Sequence, residues 1–247
     1  MMDILEPTES FSAAQYAEMA HRCIYDIYSR KRLPVMAGGT GLYINSVIND
    51  VDFSDEDNSD GKLRNELTKI YEENGAEYLH EMLRAVDEKS AEKIHANNVK
   101  RVIRAIEFYR LNNKKLSEHS DEGKLKESRY MPIMLEISWD RAELYERINR
   151  RVDIMFEAGL ENEVRELIKM GCTREMTSMQ GIGYKETADY IDGKITLDEA
   201  KEQIKQGSRR YAKRQLTWFR RDERIISLSP ENCVEEAFDI IKKQIKN

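Results

Sequence analysis

The chain begins with apolar positions that recur every three or four residues after Ser12, which is the period of an amphipathic helix. Ser12 and Gln15 fit a capping box, so we predict that this helix begins after Ser12. The apolar run at 33–37, LPVMA, is short and ends before two glycines, which is typical of a buried strand. The segment at 40–48, TGLYINSVI, then predicts a second helix. Helix, strand, glycine turn and helix form one piece of a parallel α/β sheet.

The later segments predict more helices than strands. Residues 61–116 contain many Lys and Glu and few β-branched runs, so we predict only helices there. The runs at 130–139, YMPIMLEISW, and at 224–229, RIISLS, predict two further buried strands. Asp140 fits the start of a long helix, and 196–221 predict another. Three strands are few for an open sheet, which usually has about four to six.

These elements predict an α/β fold with a parallel sheet in its core and an inserted helical subdomain. The first part of the core spans 1–53 and holds the first helix, the strand and the glycine turn. The helical insert spans 54–128, and 129–247 returns to the core and ends in basic helices. No run approaches the roughly 20 apolar residues of a membrane-spanning helix, so we expect no membrane partner.

Charge is unevenly distributed in a chain whose net charge is −6. Residues 205–224 hold eight Lys or Arg against two acidic residues, and 93–115 hold seven against one. The stretch at 50–60, DVDFSDEDNSD, is strongly acidic. Two basic segments in an acidic chain favour local electrostatic binding of a polyanion. Solvated helix faces explain the same pattern equally well.

The cysteines and histidines indicate the compartment and argue against a metal centre. The three cysteines, Cys23, Cys172 and Cys233, lie far apart in the sequence, and none is near a histidine cluster. We therefore expect a reducing compartment, the cytoplasm, and no zinc site. No residue of the chain is predicted to bind a metal directly.

The glycine turn is the first candidate for chemistry. Gly38, Gly39 and Gly41 would let the backbone approach a ligand closely, and Thr40 adds a hydroxyl group. The N–H groups of the following helix could bind an anion. However, the 247 residues contain no match to the phosphate-loop pattern G-x-x-x-x-G-K-[ST],. A tight turn needed only for packing a helix on a sheet explains these glycines equally well.

Four segments together resemble the signatures of one enzyme family. They are LPVMAGGTGLYINSVI at 33–48, NNVKRVIRAIEFY at 97–109, MQGIGYKE at 179–186 and RRYAKRQLTWFRRD at 209–222. The chain is similar in these blocks, in their order and in their spacing to the tRNA dimethylallyltransferases, also called tRNA isopentenyltransferases.

The resemblance implies a fold and a reaction. The fold would be a P-loop-NTPase-like parallel sheet with a helical insert that binds tRNA. The family transfers a dimethylallyl group from dimethylallyl diphosphate to the N6 amine of the adenosine 3′-adjacent to the anticodon, in tRNAs that read codons starting with U. Mg²⁺ would be the cofactor, bound to the leaving diphosphate. The partners would be the tRNA anticodon stem-loop and dimethylallyl diphosphate, and the complete protein would be a monomer.

The resemblance also assigns roles to individual residues. Thr40 would contact the target nucleotide at the catalytic channel, and Arg147 and Arg151 would lie near the diphosphate. Contacts to tRNA are implied for Arg64, Lys100, Arg101, Arg104, Gln180, Gly181, Ile182, Gly183, Tyr184, Lys185, Arg210, Lys213 and Arg214.

Simpler structural roles remain open for several of these residues. Arg64, Arg147 and Arg151 could be partners in surface salt bridges. Tyr184 could stack on a base or be an ordinary half-buried tyrosine. The aromatic pair at 218–219 is expected in the core rather than against a base.

The chain departs from the family at its beginning. The family opens with a strand, a G-P-T-x-[ST]-G-K-[ST] loop, a helix and a D-S-x-Q element whose aspartate is the base for the N6 amine. The resemblance here begins after that unit, as an N-terminally truncated chain or a misplaced start codon would explain. We therefore expect this chain alone to bind tRNA without transferase activity. A nucleotide (AMP or ADP) isopentenyltransferase and a non-catalytic tRNA-binding remnant are the alternatives, and the basic insert and MQGIGYKE favour tRNA.

Overall fold

The structure is a computed structural model, and it describes residues 1–49, 61–119 and 128–246. The acidic stretch at 50–60 lies outside the described residues, as do 54–60 and 120–127 of the predicted insert. Among the described helices, none is both long and apolar enough to cross a membrane.

The described chain is mostly helical. The helices are α1 (Ala13–Ser29), α2 (Gly41–Ile48), α3 (Lys62–Val86), α4 (Glu88–Lys93), α5 (Val99–Asn112), α6 (Arg141–Glu157), α7 (Leu160–Lys169), α8 (Tyr184–Ile191), α9 (Leu197–Phe219) and α10 (Cys233–Lys246). The strands are β1 (Met134–Ile137) and β2 (Ile225–Leu228), and a short 3₁₀ turn spans Thr177–Gln180.

The chain divides into two compact units. Unit 1 comprises Met1–Phe11, Ala37–Gly41 and Pro132–Asn247. Unit 2 comprises Ser12–Met36 and Leu42–Met131. The predicted boundaries at 53/54 and 128/129 stay a prediction.

Unit 2 has an all-helical core formed by α3, α4 and α5. Leu67, Leu79 and Leu83 of α3 pack against Val102 and Ile106 of α5, and all five side chains are buried. The prediction of helices without strands in this region is therefore confirmed for its described residues.

The helix α1 begins as its capping signal predicts. The Ser12 side chain accepts a hydrogen bond from the Gln15 N–H at 3.1 Å, and the Gln15 side chain accepts one from the Ser12 N–H at 2.8 Å. Tyr16 of α1 stacks on Tyr43 of α2, with ring centroids 4.4 Å apart. This pairing fixes how the two helices lie against each other.

A buried carboxylate links the end of α3 to the segment after α5. Asp87 accepts hydrogen bonds from the N–H and hydroxyl groups of Ser90, at 3.1 and 2.6 Å. It also accepts two from Ser117, at 2.9 Å from the N–H and 2.7 Å from the hydroxyl. Burial by itself would raise the pKa of Asp87, but these four hydrogen bonds outweigh it and hold the pKa below its usual range,.

Unit 1 contains the sheet, which is small and parallel. β1 pairs with β2 along its whole length, from Met134 opposite Ile225 to Ile137 opposite Leu228. The two strands predicted at 130–139 and 224–229 are confirmed, although shorter. They are less buried than predicted, since Ile137 is 50% exposed.

The third predicted strand, at 33–37, is not observed. Residues 32–40 form neither helix nor strand, and Val35 is 80% exposed. A central parallel strand needs hydrogen-bonding neighbours and cover on both faces. Within the described residues β1 and β2 pair only with each other, so the apolar run has no strand on either side of it.

The helices α6 to α9 enclose the core of unit 1. Val152 of α6, Leu160 and Val164 of α7 and Ile204 of α9 meet there with Met179 from the 3₁₀ turn. The predicted cap of α6 is confirmed, because the Asp140 side chain accepts hydrogen bonds from the N–H groups of Ala142 and Glu143.

The four hydrogen bonds to Asp87 predict a specific loss of stability. We expect Asp87→Ala to lower the free energy of unfolding by about 2–4 kcal/mol, because it leaves buried donors of Ser90 and Ser117 without an acceptor. Urea denaturation measures this, and the exposed neighbour Glu88→Ala is the control.

The depressed pKa sets the pH at which Asp87 contributes. Its contribution is complete above the unfolded value of roughly 4 and is lost as the pH falls through the lower folded value. The stability difference between the wild type and Asp87→Asn should therefore shrink in that acidic range. A difference that stayed constant down to the acid transition would contradict this role.

Candidate functional site

The helix α9 is the platform on which the site of unit 1 is built. Thr196 and Glu199 form a capping box at its start, as the side chain of each accepts a hydrogen bond from the N–H of the other. Farther along, the Lys205 ammonium donates to Asp153 of α6 at 2.8 Å, and Arg209 donates to Asn149 at 2.6 Å. These contacts hold the first half of α9 against α6.

The second half of α9 contacts the glycine turn through two side chains. The Gln215 side-chain amide donates a hydrogen bond to the Gly39 carbonyl at 2.6 Å. A Cβ atom at Gly39 would overlap that amide, and one at Gly41 would overlap the Trp218 indole. Nothing lies within 4 Å of the equivalent position at Gly38. A Cβ atom at Gly39 or Gly41 would therefore have to displace a side chain of α9, whereas one at Gly38 would meet open space.

Thr40 lies between these two contacts. Its side chain is exposed, whereas the residues before and after it are fixed by Gln215 and Trp218. Thr40 is therefore exposed between two residues that contact α9. Its hydroxyl group can orient a polar atom of a bound molecule.

The loop QGIGYK also rests on α9. Gly183 has a φ of 108°, which L side chains rarely adopt, and its N–H donates to the Glu186 carboxylate at 2.9 Å. Ile182 lies in van der Waals contact with the face of α9 at Gly207, where a Cβ atom would be 3.4 Å from its Cγ2. Gln180 and Lys185 are exposed beside this contact.

Tyr184 is half-buried in the structure, which fits the simpler of its two predicted roles, and stacking on a base stays a prediction. Its hydroxyl group donates to the Glu163 carboxylate at 2.6 Å, and its ring lies against Gly181, where a Cβ atom would be 3.2 Å from Cδ2. Burial, together with Glu163, raises the pKa of Tyr184 to about 12. Tyr184 therefore supports the loop from inside as a half-buried side chain.

A basic stripe runs along α9 between the two supported segments. The loop contact at Gly207 and the turn contact at Gln215 are eight residues apart, about 12 Å along the helix. Arg210, Lys213 and Arg214 lie between them and are exposed. None of these three makes an ion pair with the described part of the chain, so their charges face solvent.

The arginines predicted near the diphosphate lie on α6. The Arg147 guanidinium stacks over the Trp139 ring at 4.0 Å from its centroid, directly after the carboxyl end of β1. Arg151 is one turn farther on the same flank and is exposed. Asn149 and Asp153, which contact α9, lie on the other flank of the apolar face. Ligands of parallel sheets bind at the carboxyl ends of strands, which is where Arg147 lies.

The cations predicted in the insert belong to unit 2. Arg64 of α3 donates to the carboxylate of Glu107 at 2.5 Å, and Arg104 of α5 lies 3.7 Å from the same oxygen. Lys100 and Arg101 are exposed in the first turn of α5. Arg64 is thus a salt-bridge partner, as the simpler alternative expects, but of a carboxylate that is completely buried.

A comparison with known protein families decides the identity of the chain. The family model described as "IPP transferase" matches residues 1–222. This chain belongs to the IPP transferase family.

Individual relatives of the family agree with this assignment. A tRNA dimethylallyltransferase from Acetivibrio thermocellus is 47% identical over all 247 residues, which correspond to 77% of that protein. The full-length tRNA isopentenylpyrophosphate transferase from Bacillus halodurans superimposes with a TM-score of 0.68 at 39% identity, over 99% of this chain and 77% of the other. A eukaryotic dimethylallyltransferase acting on tRNA superimposes with a TM-score of 0.81 at 26% identity, over 100% of this chain and 65% of the other.

Sequence reasoning missed three residues of this IPP transferase, two at the candidate site of unit 1 and one in unit 2. Gln215 and Trp218 stand inside RRYAKRQLTWFRRD, yet only the cations of that block received roles. The expectation that Trp218 lies in the core is wrong, since 41% of it is exposed beside the turn. Glu107 is the single acidic residue in the basic segment 93–115, and that isolation is the signal that could have found it.

The close approach of α9 predicts different effects for neighbouring glycines. We expect Gly41→Ala to lower the free energy of unfolding by about 1–3 kcal/mol, because the added methyl group must displace the Trp218 ring. Gly38→Ala, three positions away, meets open space and should change stability by less than about 0.5 kcal/mol. Thermal denaturation of both variants measures this, and equal effects would contradict the contact.

Proposed function

We propose that this chain binds the anticodon stem-loop of tRNA and takes part in transferring a dimethylallyl group to the N6 amine of the adenosine 3′-adjacent to the anticodon. The names of its relatives support this reaction. The observation that carries the proposal is the basic stripe of α9, which ends at the turn that holds Thr40. A polyanion bound along Arg210, Lys213 and Arg214 would extend to the Thr40 hydroxyl group.

The stripe fits a nucleic-acid backbone because its charges are exposed and lie close together on one side of α9,. Arg210 and Arg214 are one helical turn apart and Lys213 lies beside them. Such cations bind phosphates without regard to base sequence. Specificity then comes from a base that leaves its stack and enters the site, where the Thr40 hydroxyl can accept a hydrogen bond from the adenine amine and orient it.

The second substrate in this proposal is dimethylallyl diphosphate. Displacement at its allylic carbon leaves negative charge on the diphosphate, which needs positively charged donors. Arg147 and Arg151 are candidates for this role, since guanidinium groups bind phosphates through paired hydrogen bonds. The stacking of Arg147 on Trp139 would hold its guanidinium in a fixed plane.

Mg²⁺ has no site of its own among the described residues. They contain no group of three or more His, Cys, Asp or Glu side chains that could hold a metal ion. Mg²⁺ is bound mainly by phosphate oxygens and water in many enzymes. In our proposal it arrives bound to the diphosphate, as part of the substrate.

A free nucleotide is the second candidate acceptor. A single AMP could occupy the Thr40 end of the site, but it carries one phosphate and leaves most of the α9 stripe without a counter-ion. The exposed Lys100 and Arg101 of unit 2 add further positive charge that a mononucleotide does not need. We also propose a cytoplasmic location, supported by three unpaired cysteines that a reducing compartment would maintain.

Binding of an anticodon stem-loop is the primary test, since the 247 residues contain no Walker-type phosphate loop. We expect salt-dependent affinity in a filter-binding titration. The triple variant Arg210→Ala/Lys213→Ala/Arg214→Ala should weaken binding, and the slope of log K against log [salt] should be less steep by about 2, because each lost phosphate contact removes about 0.7–0.9.

The control is Arg165→Ala, which removes an exposed cation of α7 that is already paired with Glu161 at 2.7 Å. It should leave affinity and slope unchanged. Competition separates the two acceptors, because AMP at the concentration of the stem-loop should not displace it. Displacement by AMP would favour a nucleotide acceptor, and a wild type without salt-dependent affinity would refute the proposed binding.

A further inference from the structure

A completely buried carboxylate lies beneath the basic surface of unit 2. Glu107 is on α5, and its side chain has no exposed area. Its Oε2 accepts a hydrogen bond from Arg64 Nη2 at 2.5 Å and lies 3.7 Å from Arg104 Nη1. Its Oε1 is buried and accepts no hydrogen bond from the described residues. Burying a carboxylate is unfavourable unless it is paired, so the two arginines are what Glu107 depends on.

The two arginines reach from this carboxylate to the surface. The side chain of Arg64 is 53% exposed and that of Arg104 is 29% exposed. A guanidinium group has several N–H donors in a fixed plane. Arg64 uses one terminal nitrogen on Glu107, and its exposure leaves other donors directed to solvent. The Arg64 guanidinium group is therefore bound to Glu107 on one side and can donate hydrogen bonds to a ligand on the other.

The same surface holds further cations. Lys100 lies one turn before Arg104 on α5, on the same face of the helix, and Arg101 is next to it. Lys100 and Arg101 are exposed and make no ion pair with the parts of the chain that the structure describes. Arg110, farther along α5, is already paired with Glu66 of α3 at 2.9 Å. The part of this surface that can bind an anion is thus the amino-terminal half of α5 together with Arg64.

We propose that Glu107 is a positioning residue for tRNA, which holds Arg64 and Arg104 as a fixed pair of phosphate donors. This inference rests on the proposed binding of tRNA. A free arginine loses much rotamer freedom when it binds a phosphate, and an arginine that is already ordered loses less. The buried carboxylate also offsets one positive charge of this surface, but at exposed donors this effect is screened by salt. The favourable effect of ordering Arg64 and Arg104 on phosphate binding therefore outweighs the unfavourable effect of the Glu107 charge.

The test compares the isosteric variant Glu107→Gln with Arg64→Ala and with the double variant. We expect Glu107→Gln to weaken binding of the anticodon stem-loop by about five- to tenfold, which is a change of roughly one decade at most in Kd. In an Arg64→Ala background the same change should have a much smaller effect, because the side chain that Glu107 orders is gone.

A control in unit 1 separates positioning from a general loss of structure. Glu107→Gln combined with Lys213→Ala should show the product of the two single effects, since Lys213 belongs to unit 1 and Glu107 to unit 2,. If Glu107→Gln acted through a general loss of structure, it would reduce affinity by the same factor in the Arg64→Ala and Lys213→Ala backgrounds. If Glu107→Gln does not fold, Glu107→Asp serves instead, because it keeps the charge while withdrawing the carboxylate from Arg64, and it should also weaken binding.

The outcomes are distinct. Affinity that is unchanged or tighter in folded Glu107→Gln, or an equal loss with and without Arg64, would overturn the inference. A wild type that binds tRNA while Arg64→Ala has no effect would overturn the inference and leave the proposed function standing. Absence of any salt-dependent binding by the wild type would overturn both.

Discussion

The contact between α9 and the glycine turn is the constraint on which the candidate site depends. The Gln215 amide that donates to the Gly39 carbonyl occupies the space that a Cβ at Gly39 would fill, and the Trp218 ring occupies the space that a Cβ at Gly41 would fill. Neither glycine has a positive φ, so close approach and not backbone freedom explains both. The exposed Thr40 is held between two fixed points as a result, at the end of the basic stripe of α9.

The position of α9 is itself set by polar contacts with α6. Lys205 and Arg209 bind Asp153 and Asn149 on one flank of α6, and the capping box at Thr196 fixes where α9 begins. The other flank of α6 carries Arg147, which stacks on Trp139 at the end of β1. One helix thus links the support of the turn to the carboxyl edge of the sheet within unit 1.

Asp87 and Glu107, two buried carboxylates of unit 2, differ in what they bind. Among the described residues, Asp87 accepts hydrogen bonds from Ser90 and Ser117, which are themselves buried, so its charge is satisfied inside the fold. Glu107 is paired with arginines that reach the surface. The first therefore stabilises the chain, whereas the second connects the core of the unit to its charged exterior.

Most of the helices could be predicted from the sequence, because their signals are local. The capping box of Ser12 and Gln15, the cap at Asp140 and the helical content of 61–116 all depend on residues a few positions apart. The two confirmed strands were predicted too long and too buried, and the run at 33–37 forms no strand at all. A strand requires a ladder with a distant segment, and an apolar run does not reveal whether that segment is present.

The sequence by itself determined the helices, their caps, the basic segments and the resemblance to a family that the comparisons then showed. Only the tertiary structure decided what the glycines of the turn accommodate, that Trp218 is exposed beside them, and that Arg64 is anchored on Glu107. Gln215 and Gly39 are 176 residues apart in the chain. Local spacing carries no information about such a pair, because its geometry is set by the packing of whole helices.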